Sequence, residues 1–382
     1  MNAQPNPRDS MPDGGPAELI PVMRPQLPSA QELLPYLQRI DEARWYSNHG
    51  PLLRELQDRF ATHYAVAREH VAIVANGTVA LSAALVAAGA PPGSTCLLPS
   101  WTFVGSAAAV WAANLKPHFV DVDPATWMLD PEQLRKRSDL KNVGAVMVVS
   151  AFGSPVDTAA WDAFTAETGI PVIVDGAASF DTVASAPRAA PGRSPIMISL
   201  HATKVFGVGE GGLLLSTDAE LVQRFNQVCN FGVWDSPAGQ ILGYNGKLNE
   251  YNAAVGLAMF ETWPARRDRV AQITQHYREA LSSVAGVELL PGYGDGWVSC
   301  YCNVKTTAPA QTVIDRLAER GVETRRWWQS GVHVQKAYRN FAHDPLPATE
   351  QLAATVFGLP FSYDLNDAQL QRVIESLEAS LR

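Results

Sequence analysis

The stretch SLHATKVFGVGEGG, residues 199–212, carries one lysine, Lys204, between an apolar run and a glycine-rich turn. A long cationic side chain is costly to bury, so Lys204 is either a solvated residue or an amine that the fold holds for chemistry. In an apolar setting we expect the pKa of this amine to be lowered, which would make it nucleophilic toward a carbonyl carbon. The sequence around it has to decide between these two interpretations.

Seven short apolar runs lie in the region that contains this lysine. They are VAIVA, STCLLP, PHFVDVD, VGAVMVVS, PVIVD, IMISL and GGLLLST, and most are separated by stretches long enough for a helix. This alternation predicts an α/β domain with a mostly parallel seven-stranded sheet flanked by helices. Because most runs are continuously apolar, we expect strands covered on both faces, with the functional site at their carboxyl ends.

The sequence changes character after about residue 255. A charged stretch that predicts a helix, PARRDRVAQITQHYREALSS, is followed by WVSCYCNVKT, PAQTVIDRLAERG, VETRRWW and a final predicted helix, NDAQLQRVIESLEASL. The first residues are polar and rich in proline and glycine, which predicts a disordered tail. We therefore expect a tail over residues 1–16, a large α/β domain over 17–255 and a smaller α+β domain over 256–382.

Composition favours an enzyme acting on small molecules in a reducing cytoplasm. The 382 residues are 47% apolar, and 38 acidic against 30 basic side chains give a net charge of -8 without a long block of either sign. That balance argues against nucleic-acid binding. Four scattered cysteines without a CxxC pair predict neither a disulfide framework nor a metal site. The apolar run VAIVANGTVALSAALVAAGA is interrupted by polar residues, so we interpret it as core rather than as a membrane span.

The segment Asn76-Gly77-Thr78 follows the first apolar run and opens an alanine-rich helix, TVALSAALVAAG. Free backbone N–H groups and the positive end of that helix form a site for an anion, and Gly77 allows the backbone to approach closely. The same three residues are also an ordinary helix cap. The segment thus has two interpretations, phosphate binding or capping alone.

A carboxylate and two aromatic side chains also stand at predicted strand ends. Asp175 ends the apolar strand PVIVD, and it is either a turn aspartate or the counter-ion of a protonated ring nitrogen. Trp101 and Phe103 follow STCLLP, and each is either core or a cover for a flat cofactor ring. Ser199 could add a hydroxyl to an anion site, whereas an isolated histidine such as His201 is more often packed or capping than catalytic.

A phosphate-binding helix start, an aromatic side chain, a strand-end carboxylate and a later lysine form the set that pyridoxal phosphate requires. On this basis the chain resembles the DegT/DnrJ/EryC1/StrS family of pyridoxal-phosphate-dependent sugar aminotransferases. The likeness runs through IPVMRPQLPSAQELLPYLQRI, WYSNHGPLLRELQDRFA, NGTVALSAALVAAG, PSWTFVGS, FVDVDPATWMLDPEQL, SLHATKVFGVGEGG, NFG, GYNGKLNEYNAAVGL and GLPF. It covers nearly everything except the tail, and it implies the fold of a fold-type-I transferase.

The resemblance implies a role for each residue that matches a family motif. Lys204 would bond covalently to pyridoxal phosphate and then move a proton between the cofactor's carbonyl carbon and the substrate carbon. Asp175 would pair with the pyridinium nitrogen, and Phe103 would stack on the ring. The phosphate would be held by Gly77, Thr78 and Ser199. In the loop GYNGKLNE, either Asn245 or Lys247 would complete the phosphate site of a neighbouring subunit.

Further residues are expected on the substrate side of the site. The stretch WYSNHGP, with Asn48, resembles the substrate-side loop of the family, and ETRRWWQSGVHVQKAY resembles the segment that meets the sugar nucleotide. Planar guanidinium groups fit phosphate oxygens, although a pair of arginines at a strand edge is more often solvated. The candidates for substrate contact are Asn48, His201, Arg325, Arg326 and His333.

One position departs from the family pattern. Three residues after its aspartate the family normally has a Gln or His near the ring oxygen of the cofactor, whereas DGAAS places Ala178 there. Either Ser179 or another group supplies that contact, or the site is tuned differently.

The resemblance implies a homodimeric aminotransferase with composite sites. It would move an amino group from glutamate to the keto carbon of a nucleotide-linked deoxysugar, for amino sugars of surface polysaccharides or natural products. One alternative is a sugar dehydratase that uses the same cofactor, but the relatives with that activity carry a histidine in place of the lysine. Another is a non-catalytic regulatory or binding protein, which would have no need of Lys204, Asp175 and the Gly-Thr turn together.

Overall fold

The computed structural model of the chain describes residues 19–235 and 237–382, and the predicted tail over residues 1–16 lies outside them. Among the described residues, eight strands form one sheet and three strands form a smaller sheet. In chain order the strands are β1 (Val71–Val74), β2 (Thr95–Pro99), β3 (Lys116–Val120), β4 (Val143–Val149), β5 (Val172–Asp175), β6 (Ile196–Ser199), β7 (Gly212–Leu215), β8 (Val287–Leu289), β9 (Cys302–Thr306), β10 (Ala342–His343) and β11 (Val356–Leu359).

The large sheet has the strand order β1-β7-β6-β5-β4-β2-β3-β10. Parallel pairs join β3 to β2, β2 to β4, β4 to β5 and β5 to β6, whereas β7 is antiparallel to both β6 and β1. Each of the seven predicted apolar runs contains one of these strands, except that β3 begins one residue before its run, and this agreement confirms the mostly parallel α/β sheet. The two-residue strand β10 comes from the C-terminal part of the chain and extends the sheet beyond β3.

Both faces of this sheet are covered. Along β4, Ala145 and Met147 belong to one buried cluster, whereas Val146 and Val148 belong to another. Since successive side chains of a strand point to opposite faces, the two clusters are the two apolar layers that the continuous runs predict. The sheet is therefore enclosed, and its strand ends are left to form a site.

Helices connect most of the parallel strands and cover the sheet. They are α1 (Ala30–Ala43), α2 (Pro51–His63), α3 (Gly77–Ala87), α4 (Val104–Ala112), α5 (Pro131–Arg135), α6 (Thr158–Thr168), α7 (Phe180–Ser185), α8 (Ala219–Val228), α9 (Glu250–Leu281), α10 (Ala310–Glu319), α11 (Pro347–Thr355) and α12 (Asp367–Leu381). Several start at side-chain caps; for example, Asn249 accepts a hydrogen bond from Asn252 N at the start of α9.

The start of α9 differs from the expectation that its charged stretch begins the helix at Pro264. The helix begins at Glu250 and includes Pro264, because the Asn249 cap precedes it and its first turns bury apolar side chains such as Leu257. The helix therefore runs across the proposed domain boundary between residues 255 and 256. The division into a large and a small domain stays a proposal.

The approach of two turns shapes the end of the sheet. Because β7 is antiparallel to both β1 and β6, the carboxyl ends of β1 and β6 lie at the same edge as the start of β7. A Cβ atom added at Gly212 would lie 2.6 Å from the carbonyl oxygen of Asn76, so only glycine fits there. The turn after β1 and the glycine-rich stretch are thereby held together.

Two further observations bear on the expectations from composition. All four cysteines are unpaired and buried. Within residues 19–235 and 237–382, no helix combines the length and apolar character that crossing a bilayer requires.

Candidate active site

Lys204 lies between β6 and β7, with its amine against a residue from the C-terminal part of the chain. Its Nζ donates a 2.9 Å hydrogen bond to Oη of Tyr301. The same nitrogen is 5.2 Å from the centre of the Tyr301 ring. A backbone hydrogen bond from Ala202 N to Gly209 O closes the loop that carries the lysine. The amine is thus held within the protein rather than extended into solvent.

The expected lowering of the Lys204 pKa is wrong. Burial does lower the pKa of this amine, but Tyr301, Cys300 and Asp175 raise it, and the net change is upward. The expectation assumed an apolar setting, whereas the fold places three polar side chains near the nitrogen. When no ligand is covalently bonded to it, the Lys204 amine is therefore protonated at neutral pH.

Asp175 ends β5 and is 6% exposed. Its Oδ2 accepts a 2.7 Å hydrogen bond from Ser106 Oγ, and its Oδ1 accepts a 3.1 Å hydrogen bond from Ala177 N. Burial raises the pKa of Asp175, while Ser106, Ala177 and Lys204 act in the opposite direction. An ionised carboxylate has about four acceptor sites, so this buried carboxylate can accept a further hydrogen bond from a cationic donor.

Gly77 and Thr78 are the first residues of α3. The first amides of a helix have no partner within it, and they lie at its positive end. A Cβ atom at Gly77 would lie 3.1 Å from Met197 Sδ and 3.5 Å from Ser199 Cβ. The helix start therefore packs against the end of β6, and this brings Gly77 and Ser199 together at the candidate anion site, of which Thr78 is the next helix residue.

The structure separates the two aromatic candidates. Trp101 is 2% exposed and belongs to the core, whereas the ring of Phe103 is 62% exposed. A Cβ atom at Gly105 would lie 3.1 Å from Phe103 Cδ1 and 3.7 Å from Thr78 Oγ1. Phe103 is thus an exposed apolar ring beside the anion site, where it can cover the face of a flat ligand.

Asn245 and Lys247 lie on the segment that follows α8 and runs beside the end of β1. Lys247 forms a backbone bridge with Val74, and its Nζ lies 4.5 Å from the centre of the Phe231 ring. Burial lowers the pKa of Lys247. Asn245 is exposed. Which of the two completes a phosphate site stays a prediction, as does its contribution from a neighbouring subunit.

Asn48 adopts a left-handed backbone conformation, with φ of 60°, in the loop before α2. The end of this loop is fixed by Glu250, whose side-chain oxygens accept hydrogen bonds of 2.8 Å from Leu52 N and 3.1 Å from Leu53 N. A buried carboxylate thus binds the amide groups at the start of α2. Asn48 lies just before this anchored turn, and its contact with substrate stays a prediction.

The two candidate histidines lie in different settings. His201 is partly exposed, with Nδ1 2.8 Å from Thr203 Oγ1 and Nε2 3.7 Å from Glu210. His333 is 7% exposed, and its Nδ1 is 2.7 Å from Ser100 Oγ. His333 is therefore already engaged with the end of β2. Its contact with substrate and that of His201 stay predictions.

The two candidate arginines point in different directions. The guanidinium of Arg325 lies 5.2 Å from the centre of the Trp327 ring, and that ring packs against Tyr301 at 4.9 Å. Arg326 donates a hydrogen bond to the carbonyl oxygen of Ala353 at the end of α11. Arg325 thus connects to Lys204 through two aromatic rings, whereas Arg326 is occupied by main chain.

Ala178, which stands where the family pattern has Gln or His, is followed by a serine that already has a hydrogen-bond partner. Ala178 is buried, and the hydroxyl of Ser179 donates a 2.8 Å hydrogen bond to Ser150 Oγ. The hydroxyl hydrogen of Ser179 is therefore already used. Tyr301 is the group that lies directly against Lys204.

Two residues of this site were missed from the sequence, Tyr301 and Ser106. Thr102 Oγ1 lies 2.7 Å from Ser106 Oγ, which donates to Asp175. The sequence signal for Ser106 is its position three residues after Phe103, in the stretch PSWTFVGS that carries both aromatic candidates. For Tyr301 no such signal exists, because 97 positions separate it from Lys204.

Ser106→Ala is expected to raise the pKa of Asp175 by about one unit, since a hydrogen bond to a charged group contributes about 1.5–3 kcal/mol. A raised pKa of an acid in the folded state costs stability above the unfolded-state pKa. At a pH above both folded-state pKa values of Asp175, which burial raises above the ordinary value, the variant should therefore lose about 1.4 kcal/mol relative to the unaltered protein. The difference should disappear as pH falls through those folded-state pKa values. Carboxyl-carbon NMR titration and urea unfolding measure both effects.

Ser82→Ala is the matched control, because Ser82 is also a buried helical serine and its hydroxyl bonds Tyr244 rather than a carboxylate. It should leave the titration of Asp175 unchanged. An unchanged titration in Ser106→Ala as well would mean that Ser106 does not stabilise the ionised carboxylate.

The comparison with protein families gives one match over most of the chain. The model of the DegT/DnrJ/EryC1/StrS aminotransferase family matches residues 29–378. Among curated proteins, Protein Rv3402c of Mycobacterium tuberculosis is 30% identical, with 97% of this chain and 92% of that protein covered. The dTDP-4-amino-4,6-dideoxy-D-glucose transaminase of Shigella dysenteriae is 27% identical, with 93% and 97% covered.

Solved structures give the same result. The crystal structure of DesI in the presence of its TDP-sugar product superposes with a TM-score of 0.85 at 31% identity, and 96% of this chain and 94% of that chain are covered.

Proposed function

The chain belongs to the DegT/DnrJ/EryC1/StrS aminotransferase family, and from this premise we propose that it transfers the amino group of glutamate to the keto carbon of a nucleotide-linked deoxysugar. The predicted fold, family and cofactor are confirmed: the chain is a pyridoxal-phosphate-dependent aminotransferase with the α/β architecture of its relatives. The donor, the acceptor and the role of each residue are the content of the proposal.

The observation that carries the proposal is the pairing of a buried carboxylate and an enclosed amine at adjacent strand ends. Asp175 ends β5, and Lys204 follows β6, its parallel neighbour. The charge of each affects the pKa of the other. When bound, pyridoxal phosphate withdraws electrons from the substrate carbon that loses its proton. Lys204 Nζ is the atom that would accept this proton and later return one.

The residues present fit the cofactor. The amides of Gly77 and Thr78 with the hydroxyl of Ser199 would bind its phosphate, because a helix start attracts an anion. The exposed ring of Phe103 would cover one face of the pyridine. The buried carboxylate of Asp175 would accept from the pyridinium N–H, which keeps the ring protonated. Together these groups provide a contact for the phosphate, for one face of the ring and for the ring nitrogen of pyridoxal phosphate.

Two relatives support a nucleotide-linked sugar as the amino acceptor. DesI was solved in the presence of its TDP-sugar product, and the Shigella dysenteriae relative is a dTDP-sugar transaminase. Arg325 supports a contact with phosphate from this chain's own residues, since its side chain is 55% exposed, although its guanidinium also lies 3.7 Å from the Glu323 carboxylate. We propose Asn48, His201, Arg325, Arg326 and His333 as the substrate side, with Arg325 the best placed of them.

A substrate screen tests this function. Purified enzyme with pyridoxal phosphate is incubated with glutamate and a panel of nucleotide-linked keto-sugars, and the products are identified by mass spectrometry. We expect one sugar nucleotide to gain an amino group in a glutamate-dependent reaction. If glutamate gives no 2-oxoglutarate with any acceptor while another amino donor aminates a sugar and yields its own keto acid, the donor is wrong; if no sugar is aminated with any donor, the acceptor class is wrong.

We also propose a homodimer whose sites are shared between subunits. The segment that carries Asn245 and Lys247 exposes large apolar side chains, with Phe231 56%, Ile241 40% and Leu242 93% exposed. Contiguous exposed apolar surface is typical of protein interfaces. The Lys247 amine lies over the Phe231 ring on this same segment. The segment that would pack against the partner subunit would therefore also supply a cation to the cofactor phosphate in the partner's site.

Mixed dimers test the sharing. Lys204→Ala and the double variant Asn245→Ala/Lys247→Ala are each expected to be nearly inactive alone. In a hybrid dimer both defects fall in one site and the other site is intact, so activity should return to about half that of the unaltered dimer. Steady-state assay of tagged, purified hybrids measures this. Hybrids that stay inactive would mean that each subunit builds its site alone.

A further inference from the structure

Tyr301 is fixed in place by aromatic packing. Its ring contacts Phe152 edge to face at 5.5 Å and Trp327 edge to face at 4.9 Å. Phe152 in turn stacks on Trp328, with ring centres 3.9 Å apart. Rings packed on two sides have little freedom to rotate away. The aromatic packing therefore holds the phenol oxygen of Tyr301 in its position facing Lys204.

The other charged or titratable groups near the amine are few and can be named. Cys300 and Asp175 affect the pKa of Lys204 together with Tyr301. Arg24, Arg266 and Tyr363 line the small cavity, of about 50 Å³, that Lys204 also lines. Tyr301 differs from these groups because it is hydrogen-bonded to Nζ, at 2.9 Å.

We propose that Tyr301 is a positioning residue for Lys204: its phenol oxygen accepts a hydrogen bond from the amine, fixes the direction of the nitrogen and retains the proton on it. This inference rests on the proposed function of Lys204. The polar contact to the reactive nitrogen thus comes from the C-terminal part of the chain.

A consequence can be measured when the cofactor is added. An amine bonds to a carbonyl carbon only in its neutral form, and Tyr301 stabilises the protonated form. Burial lowers the pKa of this amine and the phenol raises it, so removal of the phenol oxygen should increase the neutral fraction. The ring itself should stay in place in Tyr301→Phe, since phenylalanine keeps the two aromatic contacts.

The experiment is the rate at which pyridoxal phosphate becomes fixed to Lys204 by borohydride reduction, measured between pH 7 and pH 9 with peptide mapping. In this range the rate is proportional to the neutral fraction of the amine. Loss of one hydrogen bond to a cation should lower its pKa by about one unit and raise the rate about tenfold in Tyr301→Phe. Tyr338→Phe, the same change at a tyrosine packed against Phe341, should leave the rate unchanged.

The cofactor-free protein provides a second reading that does not depend on the variant's folding. The pKa of Lys204, from NMR of protein carrying lysine labelled at Cε, should lie above the ordinary lysine value of about 10.4. Burial without an acceptor would place it below that value. A pKa below about 10.4, or an unchanged fixation rate in folded Tyr301→Phe, would overturn the inference. Fixation to a different lysine would instead overturn the proposed function of Lys204.

Discussion

Lys204→Ala is expected to abolish amino transfer, with turnover reduced by more than about 10⁴-fold. The amine has two roles in the proposed reaction, since it bonds to the cofactor and carries the proton of the substrate carbon, and proton transfer alone contributes about 10²–10⁴-fold. The amine is held at its place by a 2.9 Å hydrogen bond to Tyr301. Single-turnover reaction with glutamate, followed by absorbance, measures the loss.

The unaltered protein should show a visible absorbance band with pyridoxal phosphate, and borohydride should fix the cofactor to Lys204. The variant should lack both features while it still binds the cofactor through the phosphate site. Lys141→Ala is a suitable control, because Lys141 is exposed and lies outside the site. Reduced cofactor on another lysine of the unaltered protein would show that the strand-end lysine was assigned a wrong role.

Asp175→Asn is expected to slow the chemical step by about 10²–10³-fold, with cofactor binding weakened far less. The change removes the negative charge while nearly preserving shape, so the ring nitrogen loses the anion that keeps it protonated, and buried electrostatic contacts of this kind contribute effects of that size. The asparagine oxygen can still accept from Ser106, but its amide group would face Ala177 N–H, which donates to Oδ1 of the aspartate. Some loss of stability should accompany the loss of rate.

Two measurements separate chemistry from stability in this variant. Single-turnover reduction of the bound cofactor by glutamate gives the rate, and equilibrium titration gives the affinity for cofactor. Asp162→Asn is a control of similar structure, since Asp162 accepts backbone hydrogen bonds from Arg193 and Ser194 outside the site. If Asp175→Asn converts glutamate at the rate of the unaltered protein, Asp175 has only a structural role.

Local patterns in the chain were sufficient to predict the α/β fold, the family and the cofactor. Seven apolar runs, most of them continuously apolar, predict strands covered on both faces, because a strand can be apolar on both sides only when both sides are buried. The pairing of Asp175 and Lys204 was predictable for a related reason: each follows an apolar strand, and parallel strands end at the same edge of a sheet. The start of α9 was not predicted, because proline at residue 264 signals a helix start locally, whereas burial of Leu257 and the cap at Asn249 extend the helix backward.

The sequence by itself therefore determined the sheet and the cofactor, and it predicted Lys204 as the reactive amine, all from residues close together in the chain or from repeated spacing. Only the tertiary structure decided what surrounds that amine. Tyr301 lies 97 positions from Lys204, and Ser106 lies 69 positions from Asp175. Such residues come into contact because separate elements pack together, and no sequence pattern in either segment predicts that contact. For this reason the lowered pKa of Lys204, predicted from its apolar neighbours in sequence, was wrong. The pKa of an amine depends on the groups within a few ångströms of it, and here those groups come from β5 and from the residues before β9.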